Sequence, residues 1–312
     1  TVTLNASNAY GFSIETKTGY ITVLAPPVAN FTANVTEGNA PLTVQFTDQS
    51  TGNVTNWSWD FGDGATSTEQ HPEHTYTTPG TYTATLTASN AYGFSTETKT
   101  NYIAVLAPPV ANFTANVTII PVGAAVQFTD TSTGNITARS WAFGDGTNTS
   151  TEQNPVHIYT SPGTYTVNLT VSNAYGEDTE SKVAYIDVGD PPAANFTANV
   201  TEGNAPLTVQ FTDESTGDIT DWFWNFGDGN TSDVQNPTYT YTAVGNYTVS
   251  LTASNAYGED TETRTAYITV LEPPAAAFSA TPTEGNAPLA VQFTDESTGN
   301  ATSWSWDFGD GT

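Results

Sequence analysis

The feature that most constrains this chain is an internal repeat. Asn-Ala-Tyr-Gly begins at Asn8, Asn90, Asn173 and Asn255, Phe-Gly-Asp-Gly at Phe61, Phe143, Phe226 and Phe308, and Pro-Pro at Pro26, Pro108, Pro191 and Pro273. Each series advances by 82 or 83 residues, so one unit accounts for the whole sequence. That period is too long for a helical solenoid and suits a small β-sandwich domain. The expected division is complete units at 26–107, 108–190 and 191–272. Residues 1–25 then hold the last strands of a partial unit, and 273–312 the first strands of another.

Within a unit the pattern is all-β. Leu42-Thr-Val-Gln-Phe46 alternates apolar with polar residues, and so does Tyr82-Thr-Ala-Thr-Leu-Thr-Ala88. A period of two with one polar face describes a half-buried antiparallel strand. Turn residues punctuate these runs at 38–41, 62–64, 79–80 and 90–93. The spacing predicts strands over 28–35, 42–48, 56–61, 73–77, 80–89 and 94–106, with a short edge strand near 65–70. Phe46, Trp59, Tyr82 and Leu86 are the expected core between two sheets. An 82-residue unit is small for a core, so packing between neighbours is expected to add stability.

Charge removes several function classes. The net charge is −27 and the basic residues are Lys17, Lys99, Arg139, Lys182 and Arg264. Nucleic-acid binding needs cationic stripes that release counterions, and none can be built from this set. Anionic membrane surfaces are disfavoured for the same reason. The chain has no Cys, which rules out disulfides, thiol nucleophiles and thiolate metal sites. It contains no stretch approaching about 20 apolar residues, the length of a membrane span. It also has no Met and opens within a strand-like pattern. An internal or processed segment is therefore expected, with any targeting signal or anchor outside it.

The run Trp57-Ser-Trp-Asp-Phe-Gly-Asp-Gly64, followed by His74-Thr-Tyr76, Pro79-Gly80-Thr-Tyr82 and Asn90-Ala-Tyr-Gly93, closely resembles the PKD (polycystic kidney disease) domain. The resemblance implies tandem Ig-like antiparallel β-sandwiches in an extended rod. It also implies an extracellular, cell-surface setting, as in tandem arrays on archaeal surface-layer proteins or modules beside secreted hydrolases. The associated roles are adhesion, spacing and protein contact rather than catalysis. The departures are local: Arg139 stands where the first unit has Trp57, and Ala142 and Asn225 stand where it has Asp60. An Asp exchanged for Ala within one chain cannot be a catalytic group that every unit requires.

The Pro-Pro linkers are short and semi-rigid, since proline fixes φ. Two readings cover the partial units at the ends: a window from a longer array, or strands of one chain completing the open sandwich of the next, which leads to filaments. Partners are thus copies of the same chain or other surface proteins and glycans. The leading function is a structural or adhesive element of a surface rod, filament or sheath, in an archaeon or bacterium. The alternative is a spacer or substrate-binding module of a secreted hydrolase, with Trp57, Trp222 or Trp304 stacking on sugars.

Catalytic signals are weak. No metalloprotease or nucleophile-elbow motif occurs. His74 and His157 share a repeat position with Tyr239, which reads as aromatic packing or hydrogen bonding; His71 completes the histidines. Gly62-Asp63-Gly64 reads as a hairpin turn. No cofactor is required, but two additions are expected. Asn-x-Ser/Thr triplets at Asn5, Asn30, Asn34, Asn53, Asn56, Asn112, Asn116, Asn135, Asn148, Asn168, Asn195, Asn199, Asn230, Asn246 and Asn300 are candidate N-glycan sites. Asn30 and Asn34 alternate with the core-facing Phe31, and Asn168 with Val167 and Leu169, so all three are expected to face outward. Strand directions also place Glu37 and Asp63 at one pole of a unit, with Asp130, Glu177 and Asp178 at the facing pole of the next. Asp145, Asp213, Glu259 and Asp260 repeat that arrangement at the following junction. Ca²⁺, which takes six to eight oxygen ligands, is the expected occupant if these carboxylates converge.

Overall fold

The computed structural model describes residues 1–147 and 149–311, and all its regular elements are strands. The first complete unit contains β3 (Phe31–Ala33), β4 (Glu37–Asn39), β5 (Leu42–Asp48), β6 (Asn56–Asp60), β7 (Thr66–Ser67), β8 (Glu73–Tyr76), β9 (Gly80–Asn90) and β10 (Gly93–Leu106). A hairpin of β1 (Val2–Asn8) and β2 (Gly11–Lys17) precedes it. The second unit holds β11 (Phe113–Ala115), β12 (Ile119–Pro121), β13 (Ala125–Asp130), β14 (Ala138–Ala142), β15 (Val156–Ile158), β16 (Gly163–Asn173) and β17 (Gly176–Gly189). The third holds β18 (Phe196–Ala198), β19 (Glu202–Asn204), β20 (Leu207–Asp213), β21 (Asp221–Asn225), β22 (Thr231–Ser232), β23 (Thr238–Tyr241), β24 (Gly245–Asn255) and β25 (Gly258–Leu271). Strands β26 (Phe278–Thr281) and β27 (Gln292–Asp295) follow. Among the described residues no helix is long and apolar enough to cross a membrane.

Each unit is a two-sheet sandwich. In the first, β3-β5-β8 forms one sheet and β4-β10-β9-β6-β7 the other. Alternation on β9 turns Ala84, Leu86 and Ala88 inward, fully buried. Thr85 and Thr87 face out and pair across the strand with Thr98 and Thr96, at 3.3 and 2.9 Å between hydroxyls. The expected core residues Phe46, Trp59 and Leu86 are buried with Phe31, Phe61 and Tyr76. Each such side chain contributes roughly 1.5–3 kcal/mol by burial. Tyr82 is a correction. It is only half-buried, because its hydroxyl must stay within reach of the Thr78 carbonyl, 2.7 Å away.

The strand expected over 28–35 is shorter, and a strand that the alternation does not show follows it. Within that range β3 pairs with β5, and beyond it β4 pairs in parallel with the end of β10 in the opposite sheet. Asn34 makes the break: its Oδ1 accepts the backbone N–H groups of Val35 and Gln45, each at 2.9 Å. The side chain takes over the ladder position, and the backbone is free to cross between sheets. Asn116 and Asn199 bind Gln127 and Gln210 in the same way.

Candidate functional site: the seam and joint of each repeat

Strand β3 is the edge of its sheet, and an unpaired edge is an invitation to aggregate. Side chains from β10 close it. Ser95 Oγ accepts Ala29 N–H at 3.3 Å, Lys99 Nζ donates to the Phe31 carbonyl at 2.7 Å, and Tyr102 Oη accepts Ala33 N–H at 3.1 Å. A bulge makes this alignment possible. Lys99 pairs with Ala84 but Ile103 with Tyr82, so β10 carries two extra residues, and the excursion turns Tyr102 toward the same edge as Lys99. Asn101 takes a left-handed φ of 52° there. The Lys99 ammonium also lies over the Phe31 and Tyr102 rings, 4.9 and 5.0 Å from their centroids.

The second unit repeats the seam with Asp178 accepting Ala111 N–H (2.7 Å), Lys182 donating to the Phe113 carbonyl (2.6 Å) and Tyr185 accepting Ala115 N–H (3.0 Å). The third uses Asp260 on Ala194 N–H and Tyr267 on Ala198 N–H. Its Arg264 lies over Phe196 but bonds Asn195 Oδ1 and Tyr267 Oη instead of the strand carbonyl. Lys17, Lys99, Lys182 and Arg264 are thus one repeat position. That 82–83-residue spacing of the cations is the signal by which the sequence alone could locate the seam.

The fifth cation, Arg139, also serves its own unit. Its Nε donates to Asp130 Oδ2 at 2.6 Å. Where Trp replaces Arg, the indole N–H takes the same carboxylate: Trp57 to Asp48 and Trp222 to Asp213, both 2.7 Å. Burial pushes these three carboxyls up, but hydrogen bonds from Ser50, Ser132 or Ser215 and from the Trp or Arg outweigh it and hold them below the usual carboxylate range. Trp57 and Trp222 are half-buried as well as tethered, and Trp304, bonded to Asp295 in the same way, is 57% exposed.

The joints are built on the Asn-Ala-Tyr-Gly turn. Its Asn caps the turn through Oδ1, accepting the Tyr N–H at 2.8–2.9 Å. Its Nδ2 reaches back to the linker or the preceding unit. Asn90 donates to the Ala25 carbonyl (3.2 Å) and Asn255 to the Asp190 carbonyl (2.9 Å). Asn173 forms a reciprocal amide pair with Asn39 of the first unit, at 2.9 and 3.2 Å. The turn's Tyr adds a second tie. Tyr175 bonds Glu37, and burial together with that carboxylate raises its hydroxyl pKa. Tyr257 bonds Asp187 at 3.2 Å, and its ring lies against Gly189, where any Cβ would collide with it.

The carboxylates expected to converge on Ca²⁺ do not gather. Among the described residues no group of three or more His, Asp or Glu side chains could hold one metal ion. Donors within their own unit hold six of the nine. Asp63 and Asp145 bond His74 and His157 at 2.7 and 2.8 Å, and Asp130 and Asp213 hold Arg139 and Trp222. Asp178 and Asp260 cap strand edges, and Glu37 faces Tyr175. Glu177 and Glu259 are simply exposed.

The shared His/Tyr position is an aromatic one. His74, His157 and Tyr239 stack on Phe61, Phe143 and Phe226 at 4.3, 4.0 and 4.1 Å between centroids. Tyr239 bonds Asp228, the counterpart of Asp63. His71 Nδ1 accepts the Asp48 N–H at 3.1 Å. Gly62 and Gly64 have left-handed φ of 83° and 93°, as a tight turn requires. Asp60 and Asn225 accept the N–H of Gly62 and Gly227, both at 2.9 Å; this turn-capping contact is what Ala142 forgoes.

Of the sequon asparagines, Asn5, Asn30, Asn34, Asn53, Asn56, Asn112, Asn116, Asn135, Asn195, Asn199, Asn230, Asn246 and Asn300 are exposed. Asn148 lies outside the described residues. Asn168 is a correction. It does alternate with the buried Val167 and Leu169, but it is only half-exposed, and its Oδ1 is buried without a partner. Its place mid-sheet, between Ala142 and Ser181 on the flanking strands, covers it.

A PKD domain model matches residues 24–105, 106–188 and 189–270. Human polycystin-1 is 30% identical over 257 residues, covering 78% of this chain and 6% of its own length. The pre-pro-metalloprotease PrtV of Vibrio cholerae serotype O1 is 36% identical over 94 residues, covering 30% of this chain and 10% of its own. The chain therefore spans a tenth or less of these relatives. The crystal structure of the PKD1 domain of that metalloprotease covers 25% of this chain and 96% of its own length, at 33% identity and a TM-score of 0.22.

Proposed function

Since the chain belongs to the PKD domain family, we propose that it is a non-catalytic extracellular structural element, one stretch of a cell-surface rod, filament or sheath. The observation that carries this reading is the joint. At the linkers before Pro26, Pro108 and Pro191 a side-chain amide bonds the linker backbone, and a Tyr bridges to the preceding unit at the last two. Such joints resist bending, and the closed seams keep each sandwich from pairing with its neighbours through strand β3 or its counterparts.

Small-angle scattering tests the rod. Four unit-lengths of roughly 35 Å each give a radius of gyration of about 40 Å, against roughly 20 Å for a compact globule of this length. A value near the lower figure refutes the reading. Electron microscopy of native surface material tests the assembly: labelled fibres or sheets support it, and dispersed particles carrying hydrolase activity refute it.

A second reading has its own support. The match to a pre-pro-metalloprotease favours a spacer module beside a catalytic domain. A catalytic domain in the same polypeptide would decide for it.

A further inference from the structure

The Asn-x-Ser/Thr triplets are not equivalent, and the structure sorts them by what each side-chain amide already does. In an N-linked glycan the amide keeps its oxygen and one hydrogen and loses the other hydrogen to the sugar bond. A site compatible with the folded domain therefore uses Oδ1 internally and leaves Nδ2 in solvent.

Eight asparagines meet this condition: Asn135 accepts the Ala107 N–H and Asn246 the Thr269 hydroxyl, each at 3.1 Å, and the other six do so in a pattern that recurs in every complete unit. Asn34, Asn116 and Asn199 accept the N–H of the neighbouring strand's Gln at 2.8–2.9 Å. Asn30, Asn112 and Asn195 accept the N–H of the following Phe at 2.9–3.0 Å. Their partners are backbone N–H groups, which only donate, so the atom facing them is the oxygen. Nδ2 occupies the other arm of the planar amide, in residues that are all exposed. The amide is also held in one orientation, so attaching a sugar costs little further ordering.

Three other sites fall outside this set, Asn56 because its Nδ2 donates to Thr55 Oγ1 at 3.1 Å. Asn168 sits between two strands with a covered Oδ1. Asn230 already spends Nδ2 on Tyr239 Oη, 2.7 Å away, inside the Phe-Gly-Asp-Gly turn.

We propose that Asn30, Asn34, Asn112, Asn116, Asn195 and Asn199 carry N-linked oligosaccharides, a pair of glycans at the seam edge of each complete unit. The proposal rests on the extracellular reading above. In the modification the Asn Nδ2 forms a bond to the anomeric carbon of a sugar carried on a lipid phosphate. The sugar–phosphate bond breaks, the phosphate leaves with the bonding pair, and the amide proton passes to a base. Four residues of extended chain separate the members of a pair by about 13 Å, enough for two sugar chains side by side. Ala277 and Thr281 stand at the equivalent positions after the third unit, so the row stops there.

Glycopeptide mass spectrometry on the full chain recovered from its own cells tests this, run together with protease shaving of intact cells. The expected result is sugar mass at the six sites and at least tenfold lower occupancy at Asn168 and Asn230. A Thr36→Ala variant is expected to lose the mass at Asn34 and keep it at Asn30. A shaved, surface-borne protein with bare asparagines at the six sites overturns the proposal and leaves the extracellular reading intact. Equal occupancy at Asn168 overturns the sorting criterion. A bare chain protected from external protease overturns both readings.

Discussion

Replacing Lys99 with Met isolates the seam, because Met keeps most of the aliphatic stem and removes the ammonium. The lost hydrogen bond is from a charged donor to the Phe31 carbonyl at 2.7 Å, a class worth about 1.5–3 kcal/mol. The two ring contacts at 4.9 and 5.0 Å add about 0.5–1 kcal/mol each where water is present. Against this stands relief from desolvating a half-buried ammonium. The net expectation is a loss of about 2 kcal/mol in the first unit. For a domain of this size that lowers its midpoint by roughly 8–16 °C. Differential scanning calorimetry of the whole chain reads it directly, with the second and third units as internal references. Arg264→Met is the matched control. Arg264 makes the ring contacts and bonds the Asn195 and Tyr267 side chains at the surface without bonding the strand carbonyl, so its third-unit midpoint should fall by less. Unchanged first-unit melting in Lys99→Met, or equal losses in the two variants, would refute the view that the carbonyl bond carries the seam.

Three further outcomes follow from local bonding. Trp59 Nε1 donates to the Glu69 carbonyl at 2.8 Å, whereas Trp224 Nε1 is buried without a partner. Trp→Phe should therefore cost the first unit about 1–2 kcal/mol more than the third, read by denaturant midpoints. Asn168→Thr, which restores the residue at the equivalent Thr85, should stabilise the second unit by about 1 kcal/mol by removing a buried unpaired oxygen; no gain in its melting temperature counts against this. Asp48, Asp63, Asp130, Asp145, Asp213 and Asp228 all have carboxyls held below the ordinary value of 3.8. Depressed native values mean the unfolded chain binds protons first, so stability is complete above about pH 5 and falls as pH drops through and below 3.8. Asp213→Asn should flatten the slope of the third unit by about one proton, or 1.4 kcal/mol per pH unit at most, in melts from pH 2.5 to 6.

Much of a unit was readable in advance because its strands are half-buried and therefore alternate. Residues 42–48, 73–77 and 80–89 needed only that rule, and the Gly/Pro turns fixed their ends. The crossing from the first strand to β4 was not readable. It depends on Asn34 replacing a backbone acceptor, which alternation cannot show. The two-residue bulge at 100–102 was hidden for a similar reason, since Thr-Asn-Tyr continues a plausible strand. The carboxylate partners were hidden for another reason. Strand direction put Asp130, Asp178 and Asp260 at the correct pole, but each found a donor within its own unit, and pole position says nothing about partners.

The seam and the joint obey different rules, and the difference lies in single residues. Seam positions change only within one chemistry: Ser95, Asp178 and Asp260 all accept a hydrogen bond, and Lys99, Lys182 and Arg264 are all cations. Joint positions do not follow this restraint. Glu37 and Asn39, which bind Tyr175 and Asn173 at the first junction, are replaced in the second unit by Ile119 and Pro121, which can do neither. The second junction recovers a tie by other means. Asp187 stands where the first unit has Ala104, and Gly189 where it has Leu106. The carboxylate receives the Tyr257 hydroxyl, and the missing side chain makes room for its ring. Four exchanges in one unit thus move the contact from the β4-type strand to the end of the β10-type strand. Each joint is consequently set by the unit before it, through the residues where its two parallel strands end. An array built this way can vary its geometry from junction to junction while every sandwich keeps the same closed edge.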